Sequence, residues 1–226
     1  MKKSKVSQEK TRRVLIEIAV TLIAEKGFEK TTMREISRKA KLSDATIYHY
    51  FSTKEMIVLG YIHLRQIQAV ETLKKIPDFD TYSLQEKLHT YFETIFESYL
   101  PDRPFVLEAV QLAHRLLLSH FEEQARIKDI FITQIREFLR LSIEREEIPD
   151  QSIEGIIPHL IFDVYLMVLL HWAKDNSPQC ERTTQLTDMA TGFSVSVLKQ
   201  GMISKAMDLG MFFLRSHFTE IFYGKK

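Results

Sequence analysis

One cysteine, Cys180, stands among the 226 residues, so no disulfide can close within the chain, and a reducing compartment suits it. Glycine and proline are scarce, at 7 and 6. A β-sandwich or barrel needs many sharp turns, and so few turn formers favour helices joined by short connections. No Asn-Gly pair marks a tight hairpin. The longest apolar stretch, Val164–Leu170, falls far short of the roughly 20 residues of a membrane helix. The Lys-rich start is not followed directly by an apolar signal core, because Glu17 and Thr21 interrupt residues 14–24. A cytoplasmic protein with no membrane partner is expected.

Motifs of catalysis are missing as well. There is no Gly-rich phosphate loop, no Gly-x-Ser-x-Gly elbow and no paired cysteine site. His159 and Asp163 stand one helical turn apart, a spacing that arises often by chance, and His114 and His120 fall on different helix faces. Cys180 sits in a polar stretch with no base nearby in sequence. No catalytic residue, metal site or cofactor is therefore assigned, and the protein is not expected to be an enzyme.

Hydrophobic residues make up 45% of the chain, enough for one large domain or two small ones. Charge is unevenly spread. Residues 1–60 hold 13 Lys and Arg against 7 Asp and Glu, and the remainder holds 18 against 23. A basic head on an acidic body points to a polyanion contact at the head.

Periodicity gives the organisation. Ile16, Ala19, Val20 and Ile23 form one face of a helix over about 10–26, closed by Gly27, with Phe28 folding back on the last turn. Thr32 opens a short second helix, and Thr32-Met33-Arg34-Glu35 fits a capping box. Lys41-Leu42-Ser43 is a turn, and Ser43 caps a third helix over about 44–50. A fourth helix runs over about 53–75 and links head to body. The segment 76–83, with Pro77, reads as a loop. Helices are expected over about 84–99, 104–118, 120–147, 152–174, 183–200 and 203–222. Pro158 either starts its helix or kinks it. The expected fold is all-α: a three-helix head, residues 1–60, and a helical body, residues 61–226.

Residues 32–51 have the layout of a helix-turn-helix, whose second helix enters the DNA major groove. Ile36, Ala40, Leu42 and Ile47 are small or branched, so the helices can cross closely. Thr32, Arg34, Ser43, Thr46, Tyr48, His49, Tyr50 and Lys54 offer hydrogen bonds to phosphates and base edges. Tyr48 and Tyr50 also fit a plain packing role, and Lys54 a solvated helix start.

The stretch Leu15 to Gly60 resembles the tetracycline-repressor (TetR) family of bacterial regulators. The matching runs are Ala24-Glu25-Lys26-Gly27-Phe28, Thr31-Thr32-Met33-Arg34-Glu35-Ile36-Ser37, Leu42-Ser43-Asp44-Ala45-Thr46-Ile47-Tyr48-His49-Tyr50-Phe51 and Lys54-Glu55. The resemblance implies that Thr32 caps helix 2 and touches a phosphate, and that Arg34 reaches bases or backbone. It implies that Ser43, Asp44, Ala45 and Thr46 face the groove floor. Tyr48, His49 and Tyr50 would clamp phosphates, and Lys54 would meet one. Two positions depart from the family. Lys41 stands where relatives usually have Gly, so the turn must differ or Lys41 must accept a strained φ. Asp44 stands where many relatives carry Lys or Gly; it would repel phosphate but could accept a hydrogen bond from a cytosine amino group.

The resemblance further implies a homodimer on a double-stranded DNA operator and a small-molecule effector bound in the body. Phe92, Phe96, Tyr99, Phe105, Phe131, Phe162, Tyr165 and Trp172 are candidates for lining an effector pocket, although aromatics at helical spacing also fit a plain core. Leu186, Met189, Ala190, Phe193 and Val197 make a face suited to an isologous contact. Phe212, Phe213, Leu214, Phe218 and Phe222 would pack across the body or extend that interface. The competing expectation is a helical ligand-binding module or enzyme whose head has lost DNA binding.

Overall fold

The computed structural model describes residues 5–112, 121–150 and 155–201, and all regular structure among them is helical. We number the helices α1 (Lys5–Lys26), α2 (Met33–Lys39), α3 (Asp44–Tyr50), α4 (Lys54–Leu73), α5 (Leu84–Tyr99), α6 (Arg103–Gln111), α7 (Phe121–Glu144), α8 (Ile157–Lys174) and α9 (Glu181–Lys199). The expected helix over 203–222, with its five aromatic and leucine positions, lies outside the described residues, as do His114, His120 and the end of the expected helix 104–118.

α2, α3 and α4 are each started by a side chain. Thr32, Ser43 and Thr53 stand in extended backbone and accept the amides of Glu35, Thr46 and Met56, each at 3.2 Å. These bonds occupy amides that the first turn leaves without helical partners. Gly27 closes α1 at φ 87, a left-handed conformation that side chains resist. Gly60 serves a close approach: a Cβ there would come within 3.0 Å of the Phe51 ring and 3.1 Å of Arg12.

Several boundaries differ from expectation. α1 begins at Lys5, a turn earlier than its apolar face suggested. Pro158 sits in the first turn of α8, where its missing N–H costs nothing, so the helix starts there without a kink. The 76–83 loop contains a 3-10 turn at Phe79–Thr81. Lys87, 1% exposed, donates to the carbonyls of Asp80 and Tyr82, which holds that turn down. Ser83 and Glu86 form a full capping box at the start of α5, and Glu147 accepts the Leu84 amide at 2.8 Å.

Buried apolar residues form one continuous cluster from Leu15 in α1 to Leu198 in α9. Head and body thus share a core. α1 packs on α4 and α6, and α4 packs on α5 and α7. Gly27 and Phe28 lie against Glu108 of α6, whose carboxylate accepts the Phe28 amide at 3.1 Å.

Candidate nucleic-acid interface and effector cavity

α2 and α3 form the helix-turn-helix. Ile36 and Ile47 are fully buried between them, with Ala40 and Leu42 half-buried beside them. Lys41 makes the turn at φ 55, so the second of its two expected conformations holds. That conformation costs a non-glycine residue roughly 1 kcal/mol, and the Leu42 amide bonding Ser37 O at 2.9 Å helps hold the turn.

The expected contact residues of α3 are exposed or half-buried. Ala45, Tyr48 and His49 are exposed on α3, Tyr48 at 55%, and Thr46 and Tyr50 are half-buried. Tyr50 packs edge-on to His49 with centroids 5.5 Å apart and also touches the core. Ser43 has two jobs, since its hydroxyl caps α3 and lies 2.8 Å from the Thr46 hydroxyl. Thr32 and Arg34 are exposed on the adjoining edge of α2.

Asp44 and Lys54 are engaged within the protein. Ser37 Oγ donates to the Asp44 carboxylate at 2.6 Å, and Arg34 Nε donates to it at 3.1 Å. The Ser37 hydroxyl, followed by the Arg34 guanidinium, holds the Asp44 carboxyl below its usual range. Asp44 therefore joins α3 to α2, which a single-sequence reading of groove-facing positions missed. Lys54 donates to the Phe28 carbonyl, and its ammonium lies 4.2 Å from the Phe28 ring centroid. It clamps the α1–α2 turn from one side while Glu108 holds it from the other.

Glu35 also departs from expectation. Its carboxylate bonds the Lys26 ammonium, which is the main reason its pKa is lowered, with a smaller contribution from the Thr32 backbone. Arg38, one turn after Arg34, and Lys39 are also exposed on α2 and were not singled out from the sequence; their clustering at the end of a short helix was the available signal.

In the body, most of the expected pocket aromatics pack on one another. Phe96 stacks on Trp172 and Tyr165, each at 5.9 Å, and Phe131 lies 4.9 Å from Tyr165. Phe92, Phe96, Phe105, Phe131 and Trp172 are at most 2% exposed and build the core. Tyr99, Phe162 and Tyr165 instead line a cavity of about 500 Å³ between α4, α6, α7 and α8. Its apolar wall includes Leu59, Ile62, Val106, Ala109 and Leu169. None of these aliphatic residues could be assigned to a cavity from sequence, because helical spacing cannot separate a wall from a filled core.

Tyr61 also lines the cavity; its hydroxyl donates to Asp102 at 3.1 Å, and Arg65 pairs with the same carboxylate. Burial drives the Tyr61 phenol far above its usual pKa. Next along the chain, Arg103 donates to the Trp172 carbonyl at 2.9 Å and to that of Asp175, tying the start of α6 to the end of α8.

α9 buries Val195 and Leu198 but turns other apolar residues outward. Met189 and Phe193 are each 71% exposed, and beside them on α8 Met167 is 62% and Leu170 51% exposed. Leu186, Ala190 and Val197 are half-buried at the edge of this surface. His159 and Asp163 are exposed, and no group of three or more His, Cys, Asp or Glu could hold a metal ion among the described residues. No helix among those residues is long and apolar enough to cross a membrane.

Two family models match the chain. Residues 15–60 match the bacterial regulatory proteins of the tetR family, and residues 87–213 match the tetracyclin repressor-like C-terminal domain. The chain belongs to the TetR family. It is 28% identical to the HTH-type transcriptional repressor KstR2 of Mycolicibacterium smegmatis over 125 residues, 55% of each chain. It spans about half the length, or less, of the first curated relatives it matches. Its fold is similar to that of Salmonella enterica GusR, with TM-score 0.63 and 19% identity over 88% of this chain and 100% of that one. It is similar also to Bacillus subtilis FadR, solved in complex with stearoyl-CoA, with TM-score 0.56 and 20% identity over 84% of this chain and 98% of that one.

Proposed function

We propose that the protein is a transcriptional repressor that binds a palindromic DNA operator as a homodimer and releases it when a small effector fills the cavity. The observation that carries this reading is α3, a short helix anchored by buried Ile47 that turns Ala45, Tyr48 and His49 to solvent beside the exposed bases of α2. Residues 1–60 take the DNA, and the remainder takes effector and partner subunit. Ala45 and Thr46 meet base edges, while Thr32, Ser43, Tyr48, His49 and Tyr50 meet phosphates, helped by Arg34, Arg38 and Lys39. Asp44 and Lys54 act through contacts within the head, holding α3 and the α1–α2 turn in place. The exposed apolar surface of α8 and α9 fits an isologous interface, which sets the two recognition helices about one DNA turn apart, ~34–36 Å.

α6 supports coupling between the two sites. Val106, Ala109 and Val110 line the cavity, and Glu108, between them in sequence, holds the Phe28 amide. A ligand that shifts α6 would move the base of the head. By linkage, effector and DNA then weaken each other's binding by the same factor, typically ~1–3 kcal/mol. The complex of Bacillus subtilis FadR with an acyl-CoA supports reading the cavity as a ligand site. The function calls for no catalysis, and its place is the cytoplasm.

The test is a titration of the full chain onto a fluorescent duplex from upstream of its own gene, at two salt concentrations, with a scrambled duplex as control. Tight binding of two protomers per site, weakening steeply with salt, is expected. Equal weak binding to both duplexes would overturn the reading in favour of a ligand-binding module or enzyme with an inactive head. Tyr48→Phe should weaken binding to both duplexes alike. Lys54→Ala should lower the melting temperature and leave the salt slope unchanged, because its ammonium is committed to Phe28.

A further inference from the structure

The most buried polar residues lining the cavity are Tyr61, Tyr99, Tyr165 and Gln66, each 2% exposed, whereas Gln124, Lys128 and Asp163 line it at more accessible positions and the rest of the wall is apolar. The Gln66 amide oxygen accepts the Tyr91 hydroxyl at 3.2 Å, which fixes the amide. A phenol can both donate and accept, and an amide carries two donors. The Tyr99 and Tyr165 phenols are neutral at physiological pH, since burial pushes Tyr99 up to about 12 and Tyr165 well above its usual value.

No net charge faces these residues. Arg65 lies behind the wall, where Asp102 neutralises it and the Tyr61 ring covers it at 5.0 Å. The charged lining residues are Lys128 and Asp163, of opposite sign. Asp163 is exposed, and the half-buried Lys128 ammonium sits 4.8 Å from the Phe162 ring centroid. A ligand ion placed against the buried polar residues would lose its hydration and gain no counter-charge, a large penalty. Tyr99, Tyr165 and Gln66 bond one another, and a pure hydrocarbon would make no use of the donor and acceptor positions that these pairings leave over.

We propose that the effector is an uncharged, mainly apolar molecule carrying a hydroxyl or carbonyl oxygen, which enters oxygen first and bonds to Tyr99, Tyr165 and Gln66. This rests on the reading of the cavity as the effector site. The volume of about 500 Å³ admits a fused-ring compound, and the chemistry sets it apart from long anionic ligands.

Four probes of one shape test it: 2-naphthol, naphthalene, 2-naphthoate and 2-naphthylmethylammonium, measured by equilibrium dialysis against the full chain up to each probe's solubility. 2-Naphthol should bind about tenfold tighter than naphthalene, the effect of one or two neutral hydrogen bonds, and tighter than either ion by at least as much. In the double variant Tyr99→Phe, Tyr165→Phe, 2-naphthol should fall to the level of naphthalene, with naphthalene itself unchanged. Val110→Trp and, separately, Leu166→Trp should weaken all four probes by filling the cavity, with cooperative melting as the check on folding. An ion binding as tightly as 2-naphthol, or an advantage that survives the double variant, overturns the ligand class and leaves the cavity as the site. Absence of binding by every probe, or binding indifferent to both tryptophan variants, overturns the cavity as the effector site and this inference with it.

Discussion

α5 and α9 lie against each other in the body, joined by Gln85 Nε2 donating to Asp188 at 3.1 Å, but they sort their residues in opposite ways. α5 buries Leu84, Leu88, Tyr91, Phe92, Ile95 and Phe96, with Lys87 and Thr94 as its buried polar residues. α9 buries Thr183, Thr187 and Thr191 over its first three turns, with Val195 and Leu198 buried only toward its end, and leaves Met189 and Phe193 in solvent. The buried threonines are tolerable because each hydroxyl has a partner. Thr183 Oγ1 donates to Asp175, and Thr187 and Thr191 each donate to the carbonyl four residues earlier at 2.8 Å. Their short side chains let α9 approach α5 closely, where Gly192 comes near the Gln85 amide. An amphipathic helix is expected to put its apolar stripe inward; for Met189 and Phe193 the proposed partner subunit would supply that interior.

The two helices also start differently. α5 is capped locally by Ser83 and Glu86. α9 is capped from a distance: Asp175, at the end of α8, accepts the Ser177 amide at 2.8 Å and the Thr183 amide at 2.9 Å. Hydrogen bonds from Ser177 and Thr183 hold the Asp175 carboxyl well below the usual carboxylate range. Through Arg103, the same junction is tied to α6.

The sharpest separation of the two helices is a pair of phenylalanine changes. Phe92→Ala, in the packed face of α5, should cost about 3–5 kcal/mol of folding stability, read by denaturant unfolding. Phe193→Glu should leave the stability of the monomer nearly unchanged and weaken the dimer by about 100-fold or more, read by sedimentation equilibrium. An unchanged dimer constant would place the interface elsewhere and leave the outward face of α9 without explanation.

Asp175→Asn probes the remote cap. A carboxyl whose folded pKa is depressed stabilises the fold above its unfolded value, about 3.9, and that contribution is lost as pH falls toward the folded value. The variant should therefore melt below the parent at pH 7, and the gap should narrow below about pH 4. A gap independent of pH would show that the carboxylate's charge is not what matters. The smallest effect belongs to Thr187→Val, which removes a hydroxyl bonded only to its own helix. Its stability should change by no more than about 0.5–1 kcal/mol, whereas a larger loss would mean the hydroxyl serves packing against α5.

Much of the head was legible in the sequence because its signals are local. Thr32, Ser43 and Thr53 each cap the helix that begins with the next residue, Gly27 ends α1, and the spacing from Thr32 to Phe51 leaves space for one turn between two short helices. The body was legible only as helices. Eight aromatics were candidates for a pocket, and three line the cavity, since a ring in a wall and a ring in a filled core follow the same period. Pair bonds across distance were not legible at all: Glu108 to Phe28 spans 80 residues and Arg103 to Asp175 spans 72.

The sequence by itself determined the all-helical architecture, the helix-turn-helix and the amphipathic face of α9, because propensity, capping and periodicity act within a few residues. Only the tertiary structure decided that Asp44 pairs with Ser37 and Arg34 and Lys54 with Phe28, that Lys41 takes a left-handed turn, and that a cavity with buried, neutral polar residues in its wall opens beside α4. Those outcomes depend on which surfaces meet once the helices pack. A carboxylate or ammonium takes the partner that packing brings within reach, and no local rule names that partner in advance.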